Sequence, residues 1–151
     1  MTTTLEATVD IDATPEQVWT VLSDLKRMPE FSPQCRRMIV LGGAAREGAR
    51  TLNLNRQGWK FWPTTSKIVR FEPNKAIAFR VVENRTIWSY ELEATSTGTK
   101  VTELRAAPTG INKASNLAVN KLLGGVPQFE VELLEGMNAT LAKIKEAVER
   151  S

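Results

Sequence analysis

Apolar and polar residues alternate along the first two thirds of the chain, and this alternation predicts β-strands. In residues 3–11, Val9 and Ile11 alternate with Asp10 and Asp12, the period of two that is typical of a half-buried strand. Similar segments follow, separated by turns that contain Gly, Pro and Asn. The further strands are predicted at residues 38–41, 51–56, 67–71, 77–81, 88–92 and 99–106.

A capping box predicts the start of the first helix, at residues 15–23. Thr14 stands at the N-cap position, Pro15 at the first helical position and Gln17 three residues after the cap. A second short helical turn is predicted at residues 25–31. The first predicted strand is therefore followed by two short helices.

The C-terminal third has the three- and four-residue spacing of an amphipathic helix over residues 126–150. At 1.5 Å per residue this helix would be about 37 Å long, enough to cross a whole sheet. Residues 112–123 predict a second, weaker helix, which Gly124 and Gly125 separate from the long one. The apolar stripe of the long helix consists of Val126, Phe129, Leu133, Met137, Leu141, Ile144 and Val148.

The order of these elements is that of an α+β protein. A length of 151 residues corresponds to one domain, and 42% apolar with 25% charged residues is typical of a soluble globular chain. We find neither an apolar run long enough to span a membrane nor a signal peptide, so no stable membrane insertion is expected. The single Cys35 cannot form an internal disulfide, which favours a cytoplasmic location.

The chain contains no histidine, and this excludes the Ser-His-Asp triad, the Cys-His pair and the H-E-x-x-H zinc site. No metal ion or other cofactor is expected. Any general acid or base must be a carboxyl group, Lys, Tyr or Cys. The net charge of +3 is small and the basic residues are scattered, so nucleic acid is not an expected partner.

Five short motifs occur in a characteristic order. They are Val18-Trp19 with Asp24, the turn at Phe31–Pro33, the turn Phe71-Glu72-Pro73, Trp88-x-Tyr90-x-Leu92, and Gly98-Thr99-x-Val101-Thr102. In these motifs the chain resembles the START-like superfamily, also called SRPBCC, and within it the polyketide cyclase/dehydrase group. The resemblance implies a helix-grip fold over residues 1–151: a curved antiparallel sheet of about seven strands wrapped around the long C-terminal helix. It also implies a cavity between sheet and helix.

Alternation predicts which side chains would face that cavity. Tyr90 should point towards the helix, because Glu91 and Glu93 would otherwise be buried without partners. The same residue types would equally fill a solid core, so the pattern leaves both interpretations open. The predicted apolar lining consists of Met28, Phe31, Phe79, Val81, Trp88, Tyr90, Phe129, Leu133 and Met137.

A polar end of the pocket is predicted on two strands. Arg56 continues the face of Leu52 and Leu54, and Glu103 shares a face with Arg105. If these faces are concave, the candidate catalytic residues are Tyr90 as the acid, Arg56 as the group that holds an anion, and Glu103 as the base, with Arg105 as a further ligand-binding residue. In the alternative, Leu104 points inward, and Glu103 and Arg105 form an exposed pair.

Trp59, Phe61 and Trp62 form a dense aromatic group between Gly58 and Pro63, where a bulge or kink is expected. Trp59 and Trp62 are candidates for lining the mouth of the pocket. The group equally fits an exposed patch for a protein or a membrane, or a small satellite core.

Three functions fit these patterns. The first is a cytoplasmic carrier or sensor that binds a hydrophobic small molecule, such as a lipid, an isoprenoid or a polyketide-like compound. The second is an aromatase/cyclase or dehydratase that acts in the same cavity without metal or histidine, and the sequence does not decide whether the chain is an enzyme. The third is a protein-interaction module. Either a monomer or a homodimer is compatible with the sequence.

Overall fold

The computed structural model describes the backbone of residues 2–108 and 126–150, and the side chains of residues 4–107 and 130–150. Three α-helices lie in these ranges, with a 3₁₀ turn at Leu25–Arg27: α1 at Pro15–Leu22, α2 at Met28–Phe31 and α3 at Val126–Glu149. The strands are β1 Thr2–Ile11, β2 Cys35–Val40, β3 Arg50–Gln57, β4 Lys60–Glu72, β5 Ala76–Val81, β6 Ile87–Ala94 and β7 Thr99–Pro108.

All seven strands of the described ranges form one antiparallel sheet, in the order β1-β7-β6-β5-β4-β3-β2. Strands β2 to β7 are a meander, and β1 returns to pair with β7. The sheet curves around α3, whose buried residues Met137, Leu141 and Ile144 belong to the same core as Ile68 and Ile77 of the sheet. This is the predicted helix-grip fold.

The end of α3 is tied to β1 by polar contacts at the surface. Lys145 Nζ donates a hydrogen bond to the carbonyl oxygen of Asp10 over 2.8 Å, and the backbone N–H of Asp12 donates to Glu149 Oε2 over 2.9 Å. Lys145 also donates to Glu149 Oε2 over 2.6 Å. These contacts join the last turns of α3 to the end of β1.

The predicted capping box is confirmed at the start of α1. The Thr14 hydroxyl accepts a hydrogen bond from the N–H of Gln17 over 3.2 Å, and the Gln17 side chain accepts one from the N–H of Thr14 over 2.9 Å. The helix then buries Val18 and Trp19. The indole of Trp19 meets the ring of Phe71 edge-on, with ring centroids 5.2 Å apart, so α1 closes one end of the core.

The prediction of a bulge or kink between Gly58 and Pro63 is wrong. Strand β4 extends over Lys60–Glu72 and pairs with β3 without interruption from Gln57↔Lys60 to Arg50↔Lys67. Gly58 has a φ of +64°, which allows a tight turn before β4. Pairing of β4 with β5 begins only at Ser66, so Pro63 lies where the strand has a partner on one side, and there a proline is tolerated.

The face of β3 that contains Leu52 and Leu54 is the outer face of the sheet, not the concave one. These two leucines are 43% and 40% exposed, whereas Thr51 and Asn53 are buried. The inner residues pair across the sheet with polar partners on β4, Thr51 with Ser66 and Asn53 with Thr64, and their hydrogen bonds compensate for burial. Because of these polar pairs, the polar face of β3 points inward, which is the reverse of the orientation that hydrophobicity predicts.

The weaker helix predicted at residues 112–123 lies outside the described residues. Within residues 2–108 and 126–150, no helix has both the length and the apolar character required to cross a bilayer.

Candidate ligand-binding cavity

A cavity of about 780 Å³ lies between the inner face of the sheet, α2 and α3. Its walls come from β2 to β7 and from both helices. Most of the residues predicted to bind a ligand or to act in catalysis border it: Met28, Arg56, Trp62, Phe79, Val81, Trp88, Tyr90, Glu103, Arg105, Leu133 and Met137. Among the described residues, the sheet and the helices therefore leave a space between them rather than a completely filled core.

One wall of the cavity is apolar and is formed by β5, β6 and α3. Phe79, opposite Trp88 in the β5–β6 register, is 5% exposed, and Met137 of α3 is 2% exposed. Leu133 lies one turn before Met137 and also borders the cavity. The period-two pattern of Trp88-Ser-Tyr90-Glu-Leu92 places the large side chains inward, as predicted.

The other part of the wall, formed by β3 and β4 beside β5, is polar, and the sequence interpretation missed it. Asn53 pairs with Thr64 in the β3–β4 register, and Asn55 of β3 and Ser66 of β4 also border the cavity. The side-chain amides of Asn53 and Asn55 donate to the Thr64 hydroxyl over 3.3 Å and 3.0 Å. One feature of the sequence did indicate this polar wall. The two asparagines alternate along β3 just as the two leucines do, so either pair could occupy the inner face.

Tyr90 and Glu103 form a buried pair at the centre of the cavity wall. They stand directly opposite each other on β6 and β7, and the Tyr90 hydroxyl donates to Glu103 Oε2 over 3.1 Å. Glu103 is 2% exposed, and its Oε1 has no hydrogen-bond partner among the side chains described. The inward position of Glu103 overturns the alternative in which Leu104 points inward.

Burial raises the pKa of both groups. Loss of hydration raises the pKa of Glu103 to about 8, although the hydrogen bond from Tyr90 opposes this change. Burial, together with the nearby Glu103, raises the pKa of Tyr90 well above its ordinary value. At neutral pH the Glu103 carboxyl is therefore mainly protonated, and the pair can donate hydrogen bonds into the cavity.

Of the two predicted arginines, Arg105 lies deeper in the cavity wall. Its guanidinium carbon is 5.6 Å from the centre of the Trp88 ring, a cation–π contact, and burial lowers the pKa of Arg105. Arg56 is exposed, and its Nε donates to the carbonyl oxygen of Gly58 over 2.7 Å. Arg56 therefore borders the cavity only at its edge. The sequence pattern predicts a position beside Tyr90 and Glu103, and the structure does not place it there.

Two of the predicted ligand-binding residues do not line the cavity, and a third is not described. Phe31 is 2% exposed and packs in the core, outside the cavity wall. Trp59 is 83% exposed at the β3–β4 turn and does not border the cavity either. The side chain of Phe129 lies outside the described residues.

Cys35 is a lining residue that was not predicted. It is 7% exposed, and its Sγ lies 3.6 Å from the carbonyl oxygen of Arg37, to which the thiol donates. Burial raises the pKa of this thiol, so it is mainly protonated at neutral pH. Among the described residues, no group of three Cys, Asp or Glu side chains is arranged to hold a metal ion.

The fold is shared with several solved structures. A polyketide-cyclase-like protein from Corynebacterium glutamicum is similar over 99% of this chain and 93% of its own, with 24% identity and a TM-score of 0.69. The ZhuI aromatase/cyclase from Streptomyces sp. R1128 is similar over 99% and 95%, with 19% identity and a TM-score of 0.75. A protein from Thermus thermophilus is similar over 98% of each chain, with 19% identity and a TM-score of 0.70.

At these identities, the structural likenesses concern the fold and not the ligand. None of the curated proteins compared with the sequence matches it significantly. The sequence family described as "Polyketide cyclase / dehydrase and lipid transport" matches residues 2–149, which is nearly the whole chain. The chain therefore belongs to this family, within the START-like group.

Proposed function

We propose that the protein binds a largely apolar small molecule that has oxygen atoms along one side, and that it acts as a carrier or sensor of this molecule. The observation that supports the proposal most directly is the contrast between the two walls of the 780 Å³ cavity. Its size falls within the range of about 300–1,000 Å³ that is usual for small-molecule sites. Family membership is consistent with this function.

The two walls would hold such a ligand in one orientation. An apolar skeleton would pack against Phe79, Trp88 and Met137, where contact with water is lost. Keto or hydroxyl oxygens on its other side would lie near the amides and hydroxyls of Asn53 and Thr64. A polyketide-like or otherwise oxygenated compound would match both walls better than a saturated hydrocarbon chain, because polar groups that lose water against a hydrocarbon gain no hydrogen bond from it in return.

Native mass spectrometry of the purified protein, followed by organic extraction, tests this proposal. We expect a co-purifying compound, or a rise in melting temperature with an aromatic polyketide or isoprenoid that carries oxygen. Asn55→Leu should weaken binding of the oxygenated compound more than binding of its deoxygenated analogue. Leu54→Asn, on the outer face of the same strand, is the matched control and should leave both affinities unchanged. A clean unbound mass with no thermal shift across fatty acids, isoprenoids and aromatic polyketides would contradict the proposal.

A second candidate, a cyclase or dehydratase, is favoured by the Tyr90–Glu103 pair alone. In loss of water from a β-hydroxy ketone, a base removes the proton on the α-carbon and an acid protonates the departing hydroxyl. A carboxyl group whose pKa is about 8 can exchange protons in either direction near neutral pH. If the protein is an enzyme, Glu103→Gln should lower turnover by about 10²–10⁴-fold while binding persists. Unchanged turnover in this variant would exclude Glu103 from the chemistry.

We also propose that residues 1–151 form one domain that works in the cytoplasm as a monomer or homodimer. The family match over residues 2–149 and the single Cys35 support this arrangement. Light scattering after gel filtration would give the oligomeric state, and cell fractionation would give the location. Two separate unfolding transitions, or recovery from a secreted fraction, would contradict it.

A further inference from the structure

Positive charge is concentrated in one half of the sheet. Strands β2 to β5 carry eight basic residues and one acidic residue, Glu72, although the whole chain has 20 basic and 17 acidic residues. Outside these four strands the acidic residues are in excess, 16 to 12. The basic residues of the four strands are Arg36, Arg37, Arg50, Arg56, Lys60, Lys67, Arg70 and Arg80.

The same half of the sheet exposes large apolar side chains. Ile39 and Leu52 are register partners on β2 and β3, and they lie on the outer face with Leu54. Phe61 pairs with Arg56 at the end of the β3–β4 hairpin, next to Trp59 in the turn. Together they form a group that we call the outer patch: Ile39 37%, Leu41 52%, Leu52 43%, Leu54 40%, Trp59 83% and Phe61 58% exposed. Exposed apolar groups of this size usually mark an interaction site.

At the hairpin tip, each exposed aromatic ring has a cation above it. Lys60 Nζ lies 5.8 Å from the centre of the Trp59 ring, and the guanidinium carbon of Arg56 lies 5.2 Å from that of Phe61. Amphipathic aromatic rings with nearby cations suit the boundary between lipid headgroups and acyl chains. There the rings enter the apolar layer, and the cations remain among the phosphates.

This tip also adjoins the cavity. Arg56, Gly58 and Trp62 border it, and Trp59 lies between Gly58 and the start of β4. In the part of the chain that the structure describes, the cavity therefore reaches the surface beside the exposed rings.

We propose that the outer patch and the surrounding basic residues dock the protein on membranes that contain anionic lipids, with the Trp59 turn entering the interface. Docking here would bring an entrance of the cavity to the bilayer, so an apolar ligand could pass between them with little exposure to water. The position of Trp59 in the turn at the tip of the β3–β4 hairpin, with Phe61 close behind it on β4, favours lipid over an acidic protein, because a tip can enter the interface of a bilayer. The proposal does not depend on which molecule the cavity binds.

Flotation of the purified full chain with vesicles tests the proposal without any ligand. The probes are vesicles of phosphatidylcholine alone and of phosphatidylcholine with 25% phosphatidylglycerol. We expect binding to the anionic vesicles at low salt and loss of most binding in 0.5 M NaCl, because salt screens the attraction. Trp59→Ala combined with Phe61→Ala should weaken binding at least tenfold. Val131→Ala, a change of an exposed apolar residue on α3, should have no effect.

A charge-reversal pair separates local attraction from net charge. Lys60→Glu with Lys67→Glu should lower affinity by more than about 25-fold, since each lysine near an anionic surface contributes about fivefold. Lys143→Glu with Arg150→Glu changes the net charge equally, at exposed sites outside β2–β5, and should weaken binding much less. Circular dichroism must show that all variants fold. No binding of the wild type to anionic vesicles at low salt, or equal losses in the two charge-reversal pairs, would overturn the proposal.

Discussion

The hydroxyl of Tyr90 lies 3.1 Å from Oε2 of Glu103, and these two residues stand opposite each other on neighbouring strands in the wall of the cavity. The second carboxyl oxygen has no hydrogen-bond partner among the described side chains. A buried carboxyl group in this setting is stable mainly in its neutral form.

Glu103 should make the folded state less stable as pH rises. Its pKa is raised from 4.5 to about 8, so its neutral form is favoured in the fold. Below pH 4.5 the carboxyl is protonated in both the folded and the unfolded state, and its contribution to the free energy of unfolding is complete. This contribution is lost as pH rises through 8, at a cost of up to about 1.4 kcal/mol per pH unit. Urea unfolding of Glu103→Gln from pH 5 to 8.5 should show a weaker pH dependence than the wild type. The exposed Glu93→Gln variant is the control, and an equal dependence in Glu103→Gln would contradict the assignment.

Removal of the Tyr90 hydroxyl should raise the pKa of Glu103 further. The hydrogen bond that Tyr90 donates favours the charged carboxylate, and it is the one interaction that lowers this pKa. In Tyr90→Phe we therefore expect a midpoint above that of the wild type in an NMR titration of the Glu103 side-chain carbon. The lost hydrogen bond should also cost about 1–3 kcal/mol of stability. A midpoint that falls would show that Tyr90 does not donate to Glu103.

Replacement of Gly98 by alanine should destabilise the protein. A Cβ at this position would overlap the backbone carbonyl oxygen of Ile11, at the point where the β6–β7 turn meets the end of β1. Because the obstacle is backbone, one strand must move, and we expect a loss of about 1–3 kcal/mol in urea unfolding. An unchanged midpoint of urea unfolding would mean that β1 and the β6–β7 turn can move apart at little cost in stability.

Replacement of Gly136 by alanine is the matched control and should have the opposite effect. Gly136 lies within α3, and a Cβ there would approach only the ring of Pro33, at 4.0 Å. Alanine loses less backbone freedom than glycine in a helix, so stability should rise by about 0.5–1 kcal/mol. Because Gly136 also borders the cavity, Gly136→Phe should fold but lose ligand binding, and retained binding would place the ligand elsewhere.

Cys35 should react slowly with iodoacetamide in the folded protein. The thiol is buried, and burial raises its pKa, so little of the reactive thiolate is present at pH 8. We expect alkylation at least tenfold slower than in 6 M urea, measured by mass spectrometry. A ligand in the cavity should slow the reaction again, because Cys35 lines it. Equal rates in the folded and unfolded protein would contradict this burial.

Local patterns were sufficient for most of the fold. Thr14 and Gln17 predicted the start of α1 because a capping box depends on residues three apart. Trp88 and Tyr90 were oriented correctly, since neighbouring glutamates leave only one face for burial. The stripe that includes Met137 predicted α3 and its buried side, because helical periodicity repeats within a few turns.

The inner face of β3 could not be predicted in this way. Leucines alternate with asparagines there, and hydrophobicity favours the burial of Leu52 and Leu54. Asn53 is buried instead, because β4 supplies Thr64 as a hydrogen-bond partner across the sheet. The cost of burying an amide depends on that partner, which lies 11 residues away in the sequence.

Strand periodicity therefore determines which residues share a face, and it does so from the sequence. Which of two faces points inward, and whether the enclosed space is filled, depends on register and on partners from other strands. Glu103 shows both contributions. Alternation along the strand predicts that Glu103 and Arg105 share a face. The pairing of Glu103 with Tyr90 and its raised pKa follow instead from the β6–β7 register and from burial. Pairing between distant parts of the chain determines how far a side chain is removed from water. For this reason the raised pKa values in the cavity could be derived only from the tertiary structure.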